Sequence, residues 1–473
     1  MNQNKKLALN SIIQIIGKVL MTIIGLVSIK ILTFYLGKDS FGEYNIITNY
    51  LIFWTIVAEL GLNVFLTTEI STVSEKQATK NISNIFTLRV TIAFLVLFLS
   101  SIVVWFFNYS NEVKLLIPIG AIGAFGFSVS QVLVGVFQKH LRTDKLIIGD
   151  LIARATLMIG MILLVLFSNI SLFNIVLVYT LSGLLNLAFV YFSARKYYKI
   201  KLAFDYTYWK YLIVEAIPLF IIVAFNLIYY RLDGIMLSIM KTPADVGLYG
   251  IAYKVLEIII TFPGMFIGLL LPIFAKYYFK DKKRFDEIFQ KSFNLMLSLA
   301  IPITVAGILL SEKIILLMSD SSYLEASNAL KYLFVAIGCI FIGNLLGNVL
   351  IVSKHQKVSM YISIFGAFLN IGLNLYLIPE YSFVGAAIAT AITEFFVLIA
   401  YLFIAYKYGS IVPKISKNIV WVGVASIFMG LAIYNSNDLN IFIQSLLGIF
   451  IFVIIMSILG IKNLISLYKI DIQ

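Results

Sequence analysis

Apolar runs of about 20 residues, each long enough to cross the hydrocarbon core of a bilayer as a helix, recur along this whole sequence. "IGDLIARATLMIGMILLVLF" is one and "IFIQSLLGIFIFVIIMSILG" near the C-terminus is another. A chain built this way must satisfy its backbone N–H and C=O groups inside its own helices, because hydrocarbon supplies no partners. An outer-membrane barrel would show short alternating segments instead, and none are visible. Composition agrees: 61% of residues are hydrophobic and 12% charged, where a soluble domain carries about 25% charge. The expectation is an all-α integral membrane protein. The opening "MNQNKKLALN" runs into the first apolar stretch without a small-residue cleavage site, which reads as a retained first helix rather than a signal peptide.

Several chemistries drop out early. A single cysteine, Cys339, excludes an intrachain disulfide and, inside an apolar run, reads as a buried inert thiol. The two histidines, His140 and His355, each sit in a basic loop beside a lysine, and no Cys/His cluster could hold zinc. There is no G-x-x-x-x-G-K-[ST] loop to cradle a nucleotide. No cofactor is expected, and these absences argue against an enzyme.

Fourteen spans can be drawn: 10–36, 42–70, 85–107, 114–138, 147–168, 171–194, 211–238, 245–275, 288–311, 326–353, 358–379, 382–406, 418–434 and 440–461. The intervening loops then alternate in charge. One side collects Lys5, Lys6, Lys76, Lys80, Lys139, Arg142 and Lys145, the basic stretch from Arg195 to Lys210, and "KYYFKDKKRFDEIFQK". Lys354, Lys357, Lys407, Lys414, Lys417, Lys462 and Lys469 fall on the same side. The other side has little beyond Lys38, Lys114, Lys241, Lys313 and Lys331. The positive-inside rule makes the basic side cytoplasmic, with both termini there. The net charge of +13 is thereby explained by topology and by contact with anionic lipid headgroups, without nucleic acid.

Two sequence echoes suggest an internal repeat. After the first span comes "LGKDSFGEYNI" and after the seventh "KTPADVGLYGI", both reading apolar-Gly-x-Tyr at Phe41–Tyr44 and Val246–Tyr249. "GVFQKHLRTDKLIIGDLIARATLMI" after the fourth span is echoed by "NVLIVSKHQKVSMYISIFGAFLNI" after the tenth, each with a Lys-His turn. The second copy starts six spans after the first, an even number. Both halves therefore insert with the same orientation, as parallel six-helix repeats with two further helices behind them. The expected organisation is a lobe at 1–194, a cytoplasmic linker at 195–210, a second lobe at 211–408 and two extra helices within 409–473.

"FYLGKDSFGEYNI" with "AELGLNVFLTTEIS", then "RLDGIMLSIMKTPADVGLYGIAYKVLE", and finally "LNIGLNLYLIPEYSFVGAAIAT" resemble polysaccharide flippases of the Wzx type. These belong to the multidrug/oligosaccharidyl-lipid/polysaccharide exporter superfamily. The resemblance covers the first twelve helices. It implies two six-helix lobes around a central cavity lined by the first, second, seventh and eighth helices. It also implies movement of undecaprenyl-pyrophosphate-linked oligosaccharide across the bacterial cytoplasmic membrane, for O-antigen, capsule or a related polymer. Membrane lipids, and a polysaccharide polymerase with other assembly proteins, would be the partners.

Among the basic residues that fall inside the spans are Lys18, Lys30, Arg89, Arg154, Arg231 and Lys254. A charge at a helix centre costs about 2.5–3.5 kcal/mol on insertion scales, so each needs a partner, an aqueous face or a function. Asn10, Gln14, Lys18, Thr22, Gly25 and Ser28 share one face of the first helix, within about 120° at 100° per residue. Such a stripe marks a wet cavity or a packed polar seam, and an unpaired ammonium favours the cavity. Lys30, nearer the outer end on the opposite face, and Arg89, one turn in from the cytoplasm, read as snorkelling. Asp150 and Arg154, at i,i+4 with the acid first, read as a structural salt bridge. On the seventh helix Glu215, Asn226, Tyr230 and Asp233 share a face, with Arg231 pointing away. Asp233 is then either solvated near the outer end or a cavity acid, and Arg231 is available for a phosphate or a structural acid. Lys254 and Glu257 stand one turn apart on the eighth helix, and Glu59 lies at similar depth on its repeat partner. Glu394, beside Thr390 and Thr393, reads as a contact within its lobe. Pro218, Pro263 and Pro302 are natural kink points.

The resemblance places Lys18, Glu59, Asp233, Lys254 and Glu257 around one space. Lys18, Lys254 and Arg231 are the candidates for pyrophosphate attraction. Glu59, Asp233 and Glu257 are the candidates for a coupling cation or proton, and no metal site is expected. A multidrug/cation antiporter or a lipid II flippase of the same superfamily is the alternative reading. A membrane-embedded glycosyltransferase or ligase is remote, because the outer loops are too short to carry a catalytic domain.

Overall fold

The computed structural model describes residues 3–63, 66, 69–70, 73–409 and 413–458, with the backbone alone described at 3–12, 15, 217–230 and 408–409. Lys5, Lys6, Asn10, Pro218, Asn226, Tyr230, Lys462 and Lys469 thus lie outside the described side chains. The described residues form helices and turns and no strand. One continuous helical run, Gln3–Glu59, is broken by Gly37 at φ 73° into α1 (3–36) and α2 (38–59). Next come α3 (Glu75–Val103), α4 (Asn111–Val132, continued by Val134–Lys139), α5 (Asp144–Leu166) and α6 (Leu172–Ala194). They are followed by α7 (Tyr206–Met240), α8 (Pro243–Tyr278), α9 (Lys282–Met318) and α10 (Ala326–Val352). The run Gln356–Gly409 is divided by Ser382 at φ 48° into α11 (356–381) and α12 (383–409). α13 (Lys417–Asn435) and α14 (Ile441–Ile458) complete the series. The fourteen expected spans therefore each have a helix, several extending past the bilayer. At 37 residues, α9 is about 55 Å long against a hydrocarbon core of about 30 Å.

The helix starts follow local chemistry. Ser110 accepts from the Val113 amide, Ser171 from Asn174, Asp205 from Tyr208 and Asp281 from Arg284, at 3.0–3.2 Å. Each side chain satisfies one of the amides that a helix leaves unpaired in its first turn.

The chain groups into two compact units, 1–247 and 248–473. In the first, α2 to α4 and α6 bury a core of Ala58, Leu62, Ile82, Ile85, Val132, Val136, Phe137 and Val190, joined by Leu212 at the start of α7. The linker expected at 195–210 is pinned there too. The amides of Lys201, Ala203 and Asp205 donate to Ser83 Oγ, Thr87 Oγ1 and Asn84 Oδ1 on α3 at 3.3, 2.9 and 3.0 Å. Alternate amides of an extended segment thus meet a polar row on a helix, which satisfies backbone that has no ladder of its own. Lys80 adds an ion pair to Asp205 at 3.3 Å. Just outside the spans, the His140 ring stacks on Tyr197 with centroids 4.5 Å apart. Burial pushes the His140 imidazole below its ordinary pKa, so it is neutral near pH 7. α7 joins this unit through its C-terminal half, where Ser238 Oγ lies 2.8 Å from the Tyr109 hydroxyl.

In the second unit α10 is the most deeply enclosed helix, with Leu330, Leu333, Ile337, Phe341, Leu345 and Leu346 buried. α13 and α14 pack on α9 through Leu310, Met429 and Ile433 and through Val422, Ala425 and Met456. Their connecting turn is held by Lys313. Its Nζ donates to the carbonyls of Asn437 and Leu439 and to Gln444 Oε1 at 2.5–2.7 Å.

The glycines of the first echo explain their own repetition. A Cβ on Gly42 would overlap the Pro243 carbonyl, and one on Gly247 would lie 2.7 Å from the Lys38 carbonyl. Each glycine thus meets the residue four before the other, a reciprocal contact of the kind a two-fold axis generates.

Arg89 overturns the snorkelling expectation. It is 2% exposed, with Nε donating to the Ser128 carbonyl at 3.0 Å and Nη1 to the Ala58 carbonyl. The reason lies in α2, which stops at Glu59 before Leu60 and Gly61, both at positive φ. The break frees carbonyls within the core of the unit, and the guanidinium fills the gap.

Two outcomes follow from this packing. An Arg89→Met variant should lose about 2–4 kcal/mol by leaving buried carbonyls unmet, read as a lowered thermal midpoint of purified protein. An unchanged midpoint would restore the snorkelling reading. Gly42→Val should collapse folded yield in detergent, whereas Gly264→Ala, where added carbon meets open space, should match the parent by size-exclusion chromatography.

Candidate functional site

α1 carries Gln14, Lys18, Thr22 and Gly25 down one face. Lys18 is exposed, and the Thr22 hydroxyl donates back to the Lys18 carbonyl at 2.9 Å. Ile16, Val19, Leu20, Ile23 and Val27 are also exposed, but they lie on an arc centred about 150° away by helical geometry. The apolar arc suits lipid and the polar arc does not. Lys30 falls at the edge of the apolar arc and is exposed, as snorkelling requires.

α5 lies beside this polar face and runs parallel to α1. Gln14 Nε2 donates to Thr143 Oγ1 at 3.0 Å, and Gly17 faces Ile147. Further up, Arg154 Nη1 stands 3.5 Å from the Met21 carbonyl, and a Cβ on Gly25 would come within 3.2 Å of it. The salt bridge expected between Asp150 and Arg154 does not form. Asp150 is turned toward α6, where Asn186 Nδ2 donates to its Oδ1 at 3.3 Å, while Arg154 lies against α1. The i,i+4 spacing allowed the pair, and competing partners on two neighbouring helices divided it.

Glu59 is half-buried at the end of α2, where its Oε1 accepts from Asn63 Nδ2 at 2.9 Å. The Arg89 charge is close enough to act on it. On α7, Asp233 is 3% exposed and Arg231 half-buried, and each is engaged by a partner. Solvation of Asp233 at the outer end is thereby excluded. Beside it, a Cβ on Gly234 would lie 3.0 Å from Asn49 Nδ2, so α7 rests on α2 at this level. Glu215, expected on the same face, is exposed nearer the linker. On α8, Lys254 Nζ and Glu257 Oε2 form a hydrogen-bonded ion pair at 2.7 Å, with the side chains 42% and 22% exposed.

Lys18, Glu59, Arg231 and Asp233 therefore belong to the first unit, and Lys254 and Glu257 to the second. Glu394 is buried in the second unit with Thr390, Thr393, Asn370 and Asn374, and the Thr390 hydroxyl lies 3.5 Å from that of Tyr249. Asn374 Nδ2 donates to Asn370 Oδ1 at 2.9 Å. Among the described residues no group of His, Cys, Asp or Glu side chains could hold a metal ion. Arg154 is the feature that sequence reasoning misassigned. Its signal was the glycine at position 25, one face over from the lipid-exposed arc of α1.

Known proteins agree with this architecture. The chain resembles the capsular polysaccharide biosynthesis protein CapF of Staphylococcus aureus, at 26% identity over 213 residues, 44% of this chain and 53% of that protein. It also resembles the probable low-salt glycan biosynthesis flippase Agl15 of Haloferax volcanii, at 24% identity over 249 residues, 52% of this chain and 51% of that protein. The chain thus spans about half the length of the curated relatives it matches. A solved lipid II flippase, MurJ, in an inward closed conformation, shares the fold with a TM-score of 0.79 at 19% identity, covering 96% of this chain and 98% of that one. A multidrug resistance MATE family transporter of the MOP superfamily, inward-facing, gives a TM-score of 0.67 at 12% identity, covering 85% and 98%. The MatE family matches residues 218–376. The family described as polysaccharide biosynthesis protein matches residues 7–278, more than half of the sequence, and the chain belongs to it.

Proposed function

We propose that this protein is a flippase for lipid-linked glycans. Its cargo is an undecaprenyl-pyrophosphate-linked oligosaccharide repeat unit, moved from the cytoplasmic to the outer leaflet of the bacterial cytoplasmic membrane. The product would serve O-antigen, capsule or related polysaccharide synthesis, and both termini would face the cytoplasm. The protein acts as a transporter and not as an enzyme. Family membership supports this reading, and the observation that carries it is the exposed Lys18 on a polar face within a spanning helix.

The physical task explains the design. An isoprenoid tail can stay in lipid while a diphosphate and its sugars cannot cross hydrocarbon unaided. A polar path bearing fixed cations attracts the diphosphate. Lys18, Lys254 and Arg231 supply those cations, and Glu59, Asp233 or Glu257 binds a coupling cation or proton. The two repeats, 1–194 and 211–408, move as lobes in alternating access. A multidrug antiporter of the same superfamily would rely on acids and aromatics, which an exposed intramembrane lysine such as Lys18 does not suit.

The decisive test deletes the gene in its native host and restores it from a plasmid. Surface polysaccharide and lipid-linked repeat units are measured together, with drug sensitivity and lipid II in parallel. Loss of surface polymer with repeat units accumulating on the cytoplasmic leaflet is expected. Normal polymer with new drug sensitivity would indicate the antiporter, and accumulation of lipid II the other flippase class.

Residue-level outcomes separate the roles. Lys18→Ala should lower transport at least about ten-fold at normal protein level while Lys18→Arg retains most of it, since one cation replaces another. Glu257→Gln should change stability by less than about 1 kcal/mol, because a half-exposed pair is weak. A marked loss of transport in that variant would then report coupling, and unchanged transport would remove Glu257 from the mechanism.

A further inference from the structure

We propose that Arg154 is a second anion-binding group, acting with Lys18 on the diphosphate of the cargo, with Gly25 providing the notch that positions it. The inference rests on the flippase reading.

Arg154 is exposed, yet it does not face lipid. On α5 it shares an arc of about 80° with Ile147, Asp150, Met158 and Met161, and Ile147 and Met161 are buried. The exposed apolar residues of α5 are Ile159, Ile162, Leu163 and Leu166, centred about 130° away. An exposed arginine on the protein-facing side of a spanning helix borders a polar opening. Its neighbour is the polar face of α1. Arg154 lies against Met21 and Gly25 there, and Lys18 stands one turn before Met21 on the same face. The parallel register fixed by Gln14–Thr143 and Gly17–Ile147 keeps the two cations on one seam.

No carboxylate closes an ion pair with either of them. α1 and α6 contain no acidic residue, and the one acid on the facing arc of α5, Asp150, accepts from Asn186 and stays within electrostatic reach of Arg154 without closing an ion pair. The remaining neighbour is Tyr44 on α2, a buried phenol within electrostatic reach of Arg154. Among the described residues Lys18 and Arg154 close no ion pair. A guanidinium presents a planar fork to phosphate oxygens and an ammonium a compact point charge. Adjacent phosphates of a diphosphate suit that combination, since each cation can take its own phosphate. Gly25 matters because any side chain there would crowd Nη1.

The test uses the full-length protein reconstituted in nanodiscs, with undecaprenyl pyrophosphate as the diphosphate probe and undecaprenol as the uncharged reference, both scored by native mass spectrometry. The parent should prefer the diphosphate lipid. Arg154→Ala should weaken that lipid about ten-fold or more, leave undecaprenol unchanged, and be largely rescued by Arg154→Lys. Gly25→Val should reproduce the loss. Arg154→Gln, which keeps a polar but uncharged side chain on this face, serves as the folded counterpart should the alanine variant be unstable. If Arg154→Gln binds the diphosphate lipid like the parent while Lys18→Ala does not, Arg154 has no part in binding and the inference fails alone. If the parent itself shows no preference for the diphosphate lipid, the flippase reading fails with it.

Discussion

Hydrocarbon offers no hydrogen bonds, so every interruption of a helix in this protein must be met from within. That constraint orders the rest of the fold. α2 stops at Glu59, and the carbonyl freed at Ala58 is taken by Arg89 on α3, the most deeply buried cation among the described residues. The turn between α13 and α14 exposes carbonyls at Asn437 and Leu439, and Lys313 reaches across from α9 to both. Gln444 completes that site by donating to the Ile433 carbonyl at 2.6 Å. The extended linker before α7 is matched amide by amide to Ser83, Thr87 and Asn84. At Ala58 a polar side chain that would be costly in lipid becomes the partner of a backbone group that would be equally costly, and at the turn and the linker, outside the spans, the same kind of pairing ties loop backbone to a helix. The expense of one defect offsets the expense of the other.

Close approach of helices is the second constraint, since lipid gives little hydrophobic force to press them together. Small residues provide it. Gly123 and Gly183 bring α4 and α6 into backbone contact: a Cβ on Gly183 would lie 2.1 Å from the Gly123 carbonyl. The reciprocal seating of Gly42 over Pro243 and Gly247 over Lys38 applies the same device at the boundary between the sequence repeats. It also helps to seat α7 in the first unit, although the repeat expected from the sequence would begin with α7. Contact grouping records which helices touch, and a repeat records which helices correspond.

How far the sequence spoke for the structure depends on the range of the interaction. The spans were legible because bilayer thickness acts on each run of residues separately, and even the paired runs 3–59 and 356–409 divide at Gly37 and near Ser382 as expected. The Lys254–Glu257 pair was legible because both partners lie on one turn. Interhelical choices were not. Arg89 stands near a helix start and looked like a snorkelling side chain, because nothing in its own segment announces that α2 will break opposite it. Asp150 and Arg154 had the spacing of a pair, and only the packing of α1 and α6 on either side of α5 shows each drawn to a different neighbour.

The fate of each intramembrane charge then separates structure from function on physical grounds. Arg89 has exchanged its hydration for carbonyl oxygens and sits in a closed core, so its charge serves the fold. Lys30 is exposed at the edge of the lipid-facing arc of α1, where snorkelling meets its charge. Lys254 has its carboxylate. Lys18 and Arg154 share neither outcome: both remain exposed on a polar seam, neither closes an ion pair, and neither faces the apolar arc of its helix. A cation kept in that condition costs stability without returning it through packing. What it retains is a field directed at whatever enters the seam, and the sign of that field admits an anion and opposes a cationic drug. Exposed cationic charge on a polar seam is therefore a physical argument, beside kinship, for the proposal that the cargo carries phosphate.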